Sequence, residues 1–327
     1  MSSHTYDAVV VGGSFAGLAA ALQLARARRR VLVVDAGRPR NRFARTSHGF
    51  LGQDGRPPGL ILDTARKQLL AYPTAECRPG EVAAGRVHEA GTELTLASGE
   101  TLVARRLVLA TGVIDELPPL PGLRERWGVT VLHCPYCHGY EVAGRRLGVL
   151  ATSELSIHQA LLVPDWSDDV TLFTNDVLSL DADQRAALAS RRVRVCERPV
   201  VDLLGDVQEL TGVRLQDGEV IPVDALFIGP RTRLASPLAE QLGCELYDGP
   251  LGPVIRTDER KETTVRGVYA AGDAARFPHT VSYAVADGVT AGIAAHQSLA
   301  LPAPASVPGS PPTGADTARQ AVEQEYR

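Results

Sequence analysis

Short apolar runs recur along the chain, and most of them end at a glycine or an acid. The first, Tyr6-Asp7-Ala8-Val9-Val10-Val11, reads as a strand. Gly12-Gly13-Ser14-Phe15-Ala16-Gly17 follows, and then Leu18 to Ala25, a run of strong helix formers. A second apolar run, Val31-Leu32-Val33-Val34, ends in Asp35, 23 residues after Gly12. Strand, glycine turn, helix, strand and acid make the βαβ unit of a dinucleotide-binding fold. Glycines let the backbone approach a pyrophosphate, and the helix N-terminus adds partial positive charge. Ser14 stands where the G-x-G-x-x-G pattern has its middle glycine.

The pattern then changes several times. A loop rich in Arg, Pro and Gly (residues 38–59) leads into a helix from Pro58 to about Ala71. A loop of that length inside a compact domain points to function or mobility. Alternating runs at 81–88 and 93–96 predict a meander, and Arg106–Leu109 a buried strand ending at Ala110-Thr111-Gly112. Pro118, Pro119 and Pro121 mark a hinge. A second α/β unit has strands at 146–150, 170–173 and 193–195, a hairpin-like stretch at 200–223 turning at Asp217-Gly218, and a strand at 225–228. A second hinge is placed past Gly243. Gly267–Ala274 repeats strand, turn and acid, and Val281 to about Leu299 reads as a helix. From Pro302 the composition predicts an extended or disordered tail.

Composition narrows the class. At 327 residues, 44% hydrophobic and 22% charged, the chain fits two globular domains. A net charge of -4 gives no electrostatic support for a nucleic-acid partner. No apolar run approaches a membrane span, and Met1–Tyr6 does not resemble a secretion signal, so the expected location is the cytoplasm. Five cysteines are too few for a disulfide-stapled scaffold, and Cys77, Cys196 and Cys244 read as buried apolar residues.

Cys134 and Cys137 stand at i and i+3. If a helix begins there, both thiols lie near its N-terminus, where free N–H groups stabilise thiolates. Pro135 suits the first turn. A zinc site would need about four ligands, with His133 and His138 as the natural supplements. No second C-x-x-C exists, so redox chemistry is favoured and no metal is expected.

The order of Gly12–Gly17 with Asp35, Ala110-Thr111-Gly112, Cys134-Pro135-Tyr136-Cys137 and Ala271-Gly272-Asp273-Ala274 resembles the low-molecular-weight thioredoxin reductase family, from residue 6 to about 299. The resemblance implies an α/β fold of two Rossmann-like, three-layer ββα domains and a homodimer. An FAD domain made of residues 1–115 and 246–300 would be interrupted by an NADPH-domain-like insertion, 116–245, carrying the cysteines, with a tail at 301–327. It implies FAD held by Gly12, Ser14, Ala16 and Gly17 at the pyrophosphate and by Asp35 and Ala36 at the adenosine ribose. Val82 would touch the adenine, with Thr111 and Gly112 a second contact. Gly272 and Asp273 would lie near the ribityl-phosphate, and Ala284 near the pyrimidine ring. Cys134 would exchange with substrate and Cys137 face the flavin. The longer stretch Cys134–Glu141 is similar to dithiol oxidases that close disulfides in gliotoxin, holomycin and romidepsin. The reductases carry an acid after the second cysteine, where this chain has His138.

Two departures set the direction of electron flow. The second glycine motif would use positions 151, 153 and 156, which are Ala151, Ser153 and Ser156. The basic cluster for a 2′-phosphate is replaced by Thr174-Asn175-Asp176. Without NADPH, electrons enter through the cysteines and leave to O₂. The reading is an FAD-dependent oxidase forming a disulfide in a small-molecule dithiol, with H₂O₂ as product. An NADPH-dependent thioredoxin or disulfide reductase is the alternative, and a flavin-bearing sensor without turnover a further one. His138 is the first candidate base, His279 the second, and His48 is a candidate pocket-lining residue.

Overall fold

The structure is a computed structural model that describes residues 4–206 and 208–301. Apart from Leu301, the expected tail at 301–327 lies outside the described residues. In chain order the strands and helices are β1 (His4–Val11), α1 (Phe15–Arg26), β2 (Val31–Asp35), α2 (Pro58–Leu70), β3 (Ala75–Pro79), β4 (Val82–His88), β5 (Gly91–Leu96), β6 (Thr101–Leu109), β7 (Val113–Glu116), β8 (Val131–Leu132), α3 (Pro135–His138), β9 (Leu147–Leu150), α4 (Leu155–Leu162), β10 (Val170–Phe173), α5 (Ala182–Ser190), β11 (Arg194–Cys196), β12 (Val200–Gly205), β13 (Leu210–Leu215), β14 (Val220–Ile221), β15 (Ala225–Ile228), β16 (Arg231–Leu234), α6 (Leu238–Gln241), β17 (Leu246–Gly249), β18 (Gly252–Ile255), β19 (Val268–Ala270) and α7 (Val281–Ala300).

The first domain is built on a sheet of order β3-β2-β1-β6-β5-β4, with β19 also pairing β6. β3, β2, β1, β6 and β19 are parallel, while β5 and β4 turn back antiparallel. Its central strands are apolar on both faces because both faces are covered. Ala8, Val10, Val31 and Val33 pack under α1, α2 and α7. Val9, Val11, Leu32 and Val34 point the other way, into a core shared with Leu94 and Leu96. The second domain repeats the arrangement with five parallel strands, order β11-β10-β9-β15-β8. One face packs on α4 and α5 through Ala160 and Leu188. The other packs on the antiparallel β12-β13-β14 layer through Leu203, Val213 and Leu215. Each domain is therefore the three-layer α/β arrangement expected.

The crossing between domains differs from the expected boundaries. β7 and β16 pair antiparallel, Asp115 opposite Thr232, so the outgoing and returning chains lie side by side. Leu238, Ala239, Leu242 and Cys244 already belong to the first domain's core. The return thus precedes residue 246, because α6 buries its apolar face against β4. Gly243, with φ +78°, terminates that helix.

α1 and α7 are pressed together by glycine. A Cβ on Gly288 would overlap the Ala16 carbonyl, and one on Gly292 would meet the backbone of Ala20. This contact sets the N-terminus of α1 beside that of α7.

Candidate redox and cofactor site

Sequence-distant glycines make one cradle. Gly12 has φ +108°, and a Cβ there would overlap the Ala110 carbonyl. Gly17 lies so close to the Gly12 carbonyl that no side chain fits. Ser14 caps α1 with extended backbone, and its side chain makes no cap hydrogen bond. The cap thus leaves first-turn amides of a 12-residue helix open to an anion. Gly272, φ +75°, opens the turn after β19, where an added Cβ would be 2.9 Å from the Ala16 Cβ and 3.7 Å from that of Ala284. Gly12, Ser14, Ala16, Gly17, Gly272 and Ala284 therefore converge, as a dinucleotide phosphate site requires.

The remaining expected contacts ring that cradle. Asp35 ends β2, where its Oδ1 accepts from the Gly37 N–H (3.1 Å) and its Oδ2 pairs with Arg66 (3.3 Å). Ala36 is exposed beyond it. Val82 starts β4 with its side chain buried in the first domain's core. Thr111 and Gly112 are half-buried just past β6, and the Gly112 carbonyl accepts from the Ala235 N–H (3.1 Å). These residues fit FAD: an open helix terminus, a backbone cradle that any Cβ would fill, and an acid at the second strand's end.

Asp273 belongs to a half-buried ion network that the sequence reading missed. Arg40 grips Asp115 with two bonds (Nη2–Oδ1 2.5 Å, Nε–Oδ2 3.0 Å) and reaches Asp273 Oδ2 at 3.0 Å. Burial opposes the Arg40 charge, but its bonds to Asp115 and Asp273 more than offset that and hold the guanidinium firmly protonated. The same Nη1 lies 2.6 Å from His279 Nδ1. A guanidinium only donates, so Nδ1 accepts and the ring proton of the neutral imidazole sits on Nε2. Burial and then Arg40 lower its pKa, against the opposing pull of Asp273.

The cysteines sit on the neighbouring lobe. α3 begins at Cys134, which is its extended N-cap, with Pro135 at the first position. Cys134 and Cys137 are disulfide-bonded, with Cα atoms 5.2 Å apart. Gly139 is needed here because a Cβ would lie 2.7 Å from the Trp166 ring. Tyr136 meets Trp166 edge-on at 5.6 Å. Gln159 Nε2 donates to the His133 carbonyl (2.6 Å), and His133 Nδ1 lies 3.2 Å from the Ile228 carbonyl, so the residue before Cys134 is fixed from α4 and β15. Burial, reinforced by Arg40, lowers the His133 pKa to about 4. Burial also lowers that of His138, partly countered by Glu141. Among the described residues no group of three or more His, Cys, Asp or Glu is placed to hold a metal ion. Cys196 and Cys244 are buried, and Cys77 is only partly so.

The turn after β9, where a second nucleotide would sit, is closed on itself. Ser156, 2% exposed, accepts the Thr152 N–H on its Oγ (3.0 Å). Thr152 Oγ1 donates to the Gly229 carbonyl (2.6 Å). After β10, Asn175 and Asp176 both adopt positive φ, and Asn175 Oδ1 accepts from the Val200 N–H (2.8 Å). Arg185 is paired with Glu197.

Two parallel-sheet nucleotide-type domains with a disulfide at their junction define a disulfide oxidoreductase. The chain belongs to the pyridine nucleotide-disulphide oxidoreductase family, whose pattern matches residues 6–288. It is 34% identical to the thioredoxin reductase tcpT of Claviceps purpurea over 308 residues, 91% of this chain and 95% of that protein. Among solved structures it is similar to an oxidoreductase from Agrobacterium tumefaciens (47% identity, TM-score 0.87, 91% and 99% of the two chains). It is similar also to HlmI (39% identity, TM-score 0.85, 100% and 98%). The chain is thus a thioredoxin reductase-like oxidoreductase.

Proposed function

We propose that the protein is an FAD-dependent dithiol oxidase that forms a disulfide within a small molecule. The observation that carries this reading is the closed turn after β9. The Thr152 amide that would face a pyrophosphate is already bonded to Ser156 Oγ, and the positions that reductases keep small carry side chains. An entering NADPH would have to break those bonds and would find Asp176 where its phosphate needs a cation.

In the proposed reaction His138 takes the proton of one substrate thiol. The thiolate attacks Cys134 Sγ, breaking the Cys134–Cys137 bond and leaving Cys137 as thiolate. The second substrate thiol gives its proton to solvent and, as thiolate, attacks the substrate sulfur of the mixed disulfide, releasing the cyclic product and the Cys134 thiolate. Bound FAD would supply the two-electron oxidant that restores the Cys134–Cys137 disulfide, with O₂ as the final acceptor and the two thiol protons carried off in H₂O₂. Tyr136 and Tyr140, both exposed beside the cysteines, offer apolar surface to a small substrate. We place the enzyme in the cytoplasm as a homodimer. Among the described residues no helix is long and apolar enough to cross a membrane.

The alternative is an NADPH-dependent thioredoxin or disulfide reductase, favoured by the name of the tcpT relative. An anaerobic titration separates the two. Bleaching of the yellow flavin by dithiothreitol but not by NADPH, with peroxide on re-aeration, is the expected result. Rapid bleaching by stoichiometric NADPH would overturn the reading.

A further inference from the structure

One guanidinium joins stretches of chain that lie far apart in sequence. Arg40 opens the short turn Arg40–Phe43, in the loop between β2 and α2. Its Nε and Nη2 hold both oxygens of Asp115 on β7, and its Nη1 reaches Asp273 Oδ2 and His279 Nδ1. A planar fork with fixed N–H directions meets that set of acceptors in one orientation only. Among the described residues Arg40 is the only cation paired with either acid. The Asp115 side chain is 8% exposed and that of Asp273 19%, so without the arginine water would screen their repulsion weakly.

Each acid leads to a different part of the site. Asp273 follows Gly272, whose close approach to Ala16 places it in the cofactor cradle. Arg40 engages Oδ2 alone, so Oδ1 is not committed to it. Asp115 lies on the ribbon through which the chain enters and leaves the cysteine domain, opposite Thr232 of β16. The Thr232 N–H donates in turn to the Leu251 carbonyl (2.7 Å). The loop that carries Arg40 meets the cysteine domain twice more. Phe43 lies on Gly128, and His48 Nε2 is 3.3 Å from Glu141 Oε1.

We infer that Arg40 is a positioning residue with two tasks: it orients Asp273 for the cofactor, and through Asp115 it fixes the ribbon that carries the cysteine domain. Cofactor seating and cysteine placement thus share one side chain. A lysine would keep the charge but not the function, because an ammonium is a point donor and lacks the fork that grips Asp115 with two bonds.

The inference rests on the proposed FAD site and not on the direction of electron flow, so neither arm of its test measures turnover. FAD release from the full-length holoprotein on dilution is read by flavin fluorescence. Amide exchange of Val113–Glu116 is read by mass spectrometry. Asp273→Asn should release FAD about tenfold faster with ribbon exchange unchanged. Asp115→Asn should do the reverse, with exchange about tenfold faster and release unchanged. Arg40→Met should move both readouts, and Arg40→Lys both to a smaller extent. If Arg40→Met fails to fold, Arg40→Lys and the two acid variants still carry the pattern. Arg40→Met combined with Asp273→Asn should release FAD no faster than the faster single variant. A merely structural arginine network would move both readouts together in every variant. That result, additive losses in the double variant, or wild-type behaviour in both arginine variants would overturn the inference. Protein that takes up no FAD would overturn the cofactor reading and this inference with it, whereas holoprotein with the wrong pattern overturns the inference alone.

Discussion

Arg40 cannot accept a proton, and this determines what His279 can do. With Nδ1 accepting from Arg40 and the ring proton on Nε2, the neutral His279 ring has no free lone pair for substrate. His279→Ala should leave a half-buried guanidinium donor without that partner and cost about 1 kcal/mol, seen as a lower melting temperature. It should not slow dithiol-driven bleaching by the factor of about 10²–10⁴ expected for His138→Ala. Cys137→Ser should keep FAD bound yet abolish that bleaching, and turnover in this variant would refute the role assigned to Cys137. His133, His138 and His279 all have pKa values lowered by burial, so the unfolded chain binds their protons more readily. Stability should therefore rise with pH between about 4 and 6.5 and level off above. A melting series across pH checks this, and His133→Gln should flatten part of the slope. His138 was legible from its place after Cys137. Arg40 and Asp115 were not, because a loop arginine and a strand-end acid carry no periodic signal and declare themselves only when the chain brings them together.

At the scale of elements, legibility followed pattern length. β1, α1 and β2 were read to within three residues because both sheet faces are buried, giving unbroken apolar runs around a glycine turn. β7 and β16 were missed, since four-residue strands of mixed polarity are defined by each other and lie far apart in sequence. α6 was missed for a similar reason: its apolar side chains matter only against β4. The glycine contact between α7 and α1 was also invisible, although Gly288 and Gly292 stand four apart on one helix face. Gly288→Ala should force the helices apart, costing about 1–3 kcal/mol as an overpacked core does. Because that contact also sets the cradle, the variant should release FAD more readily on dilution, measured by flavin fluorescence.

The whole molecule places its two domains in direct contact at the cysteine lobe. His48 meets Glu141, and Phe43 packs so closely on Gly128 that an added Cβ would lie 2.7 Å away. Phe43→Ala should therefore loosen the junction while leaving each domain's core intact, since the Phe43 ring lies outside both cores. The expected result is slower transfer from the cysteines to flavin with unchanged FAD content, read by stopped flow and absorbance.

The self-bonded turn at Thr152 and Ser156 reaches beyond the active site. An enzyme that cannot be charged by the cell's pyridine-nucleotide pool is insulated from nutritional state. Under the proposed function its pace follows only dithiol supply and oxygen tension, so it would go on sealing its substrate in a starving cell as readily as in a growing one.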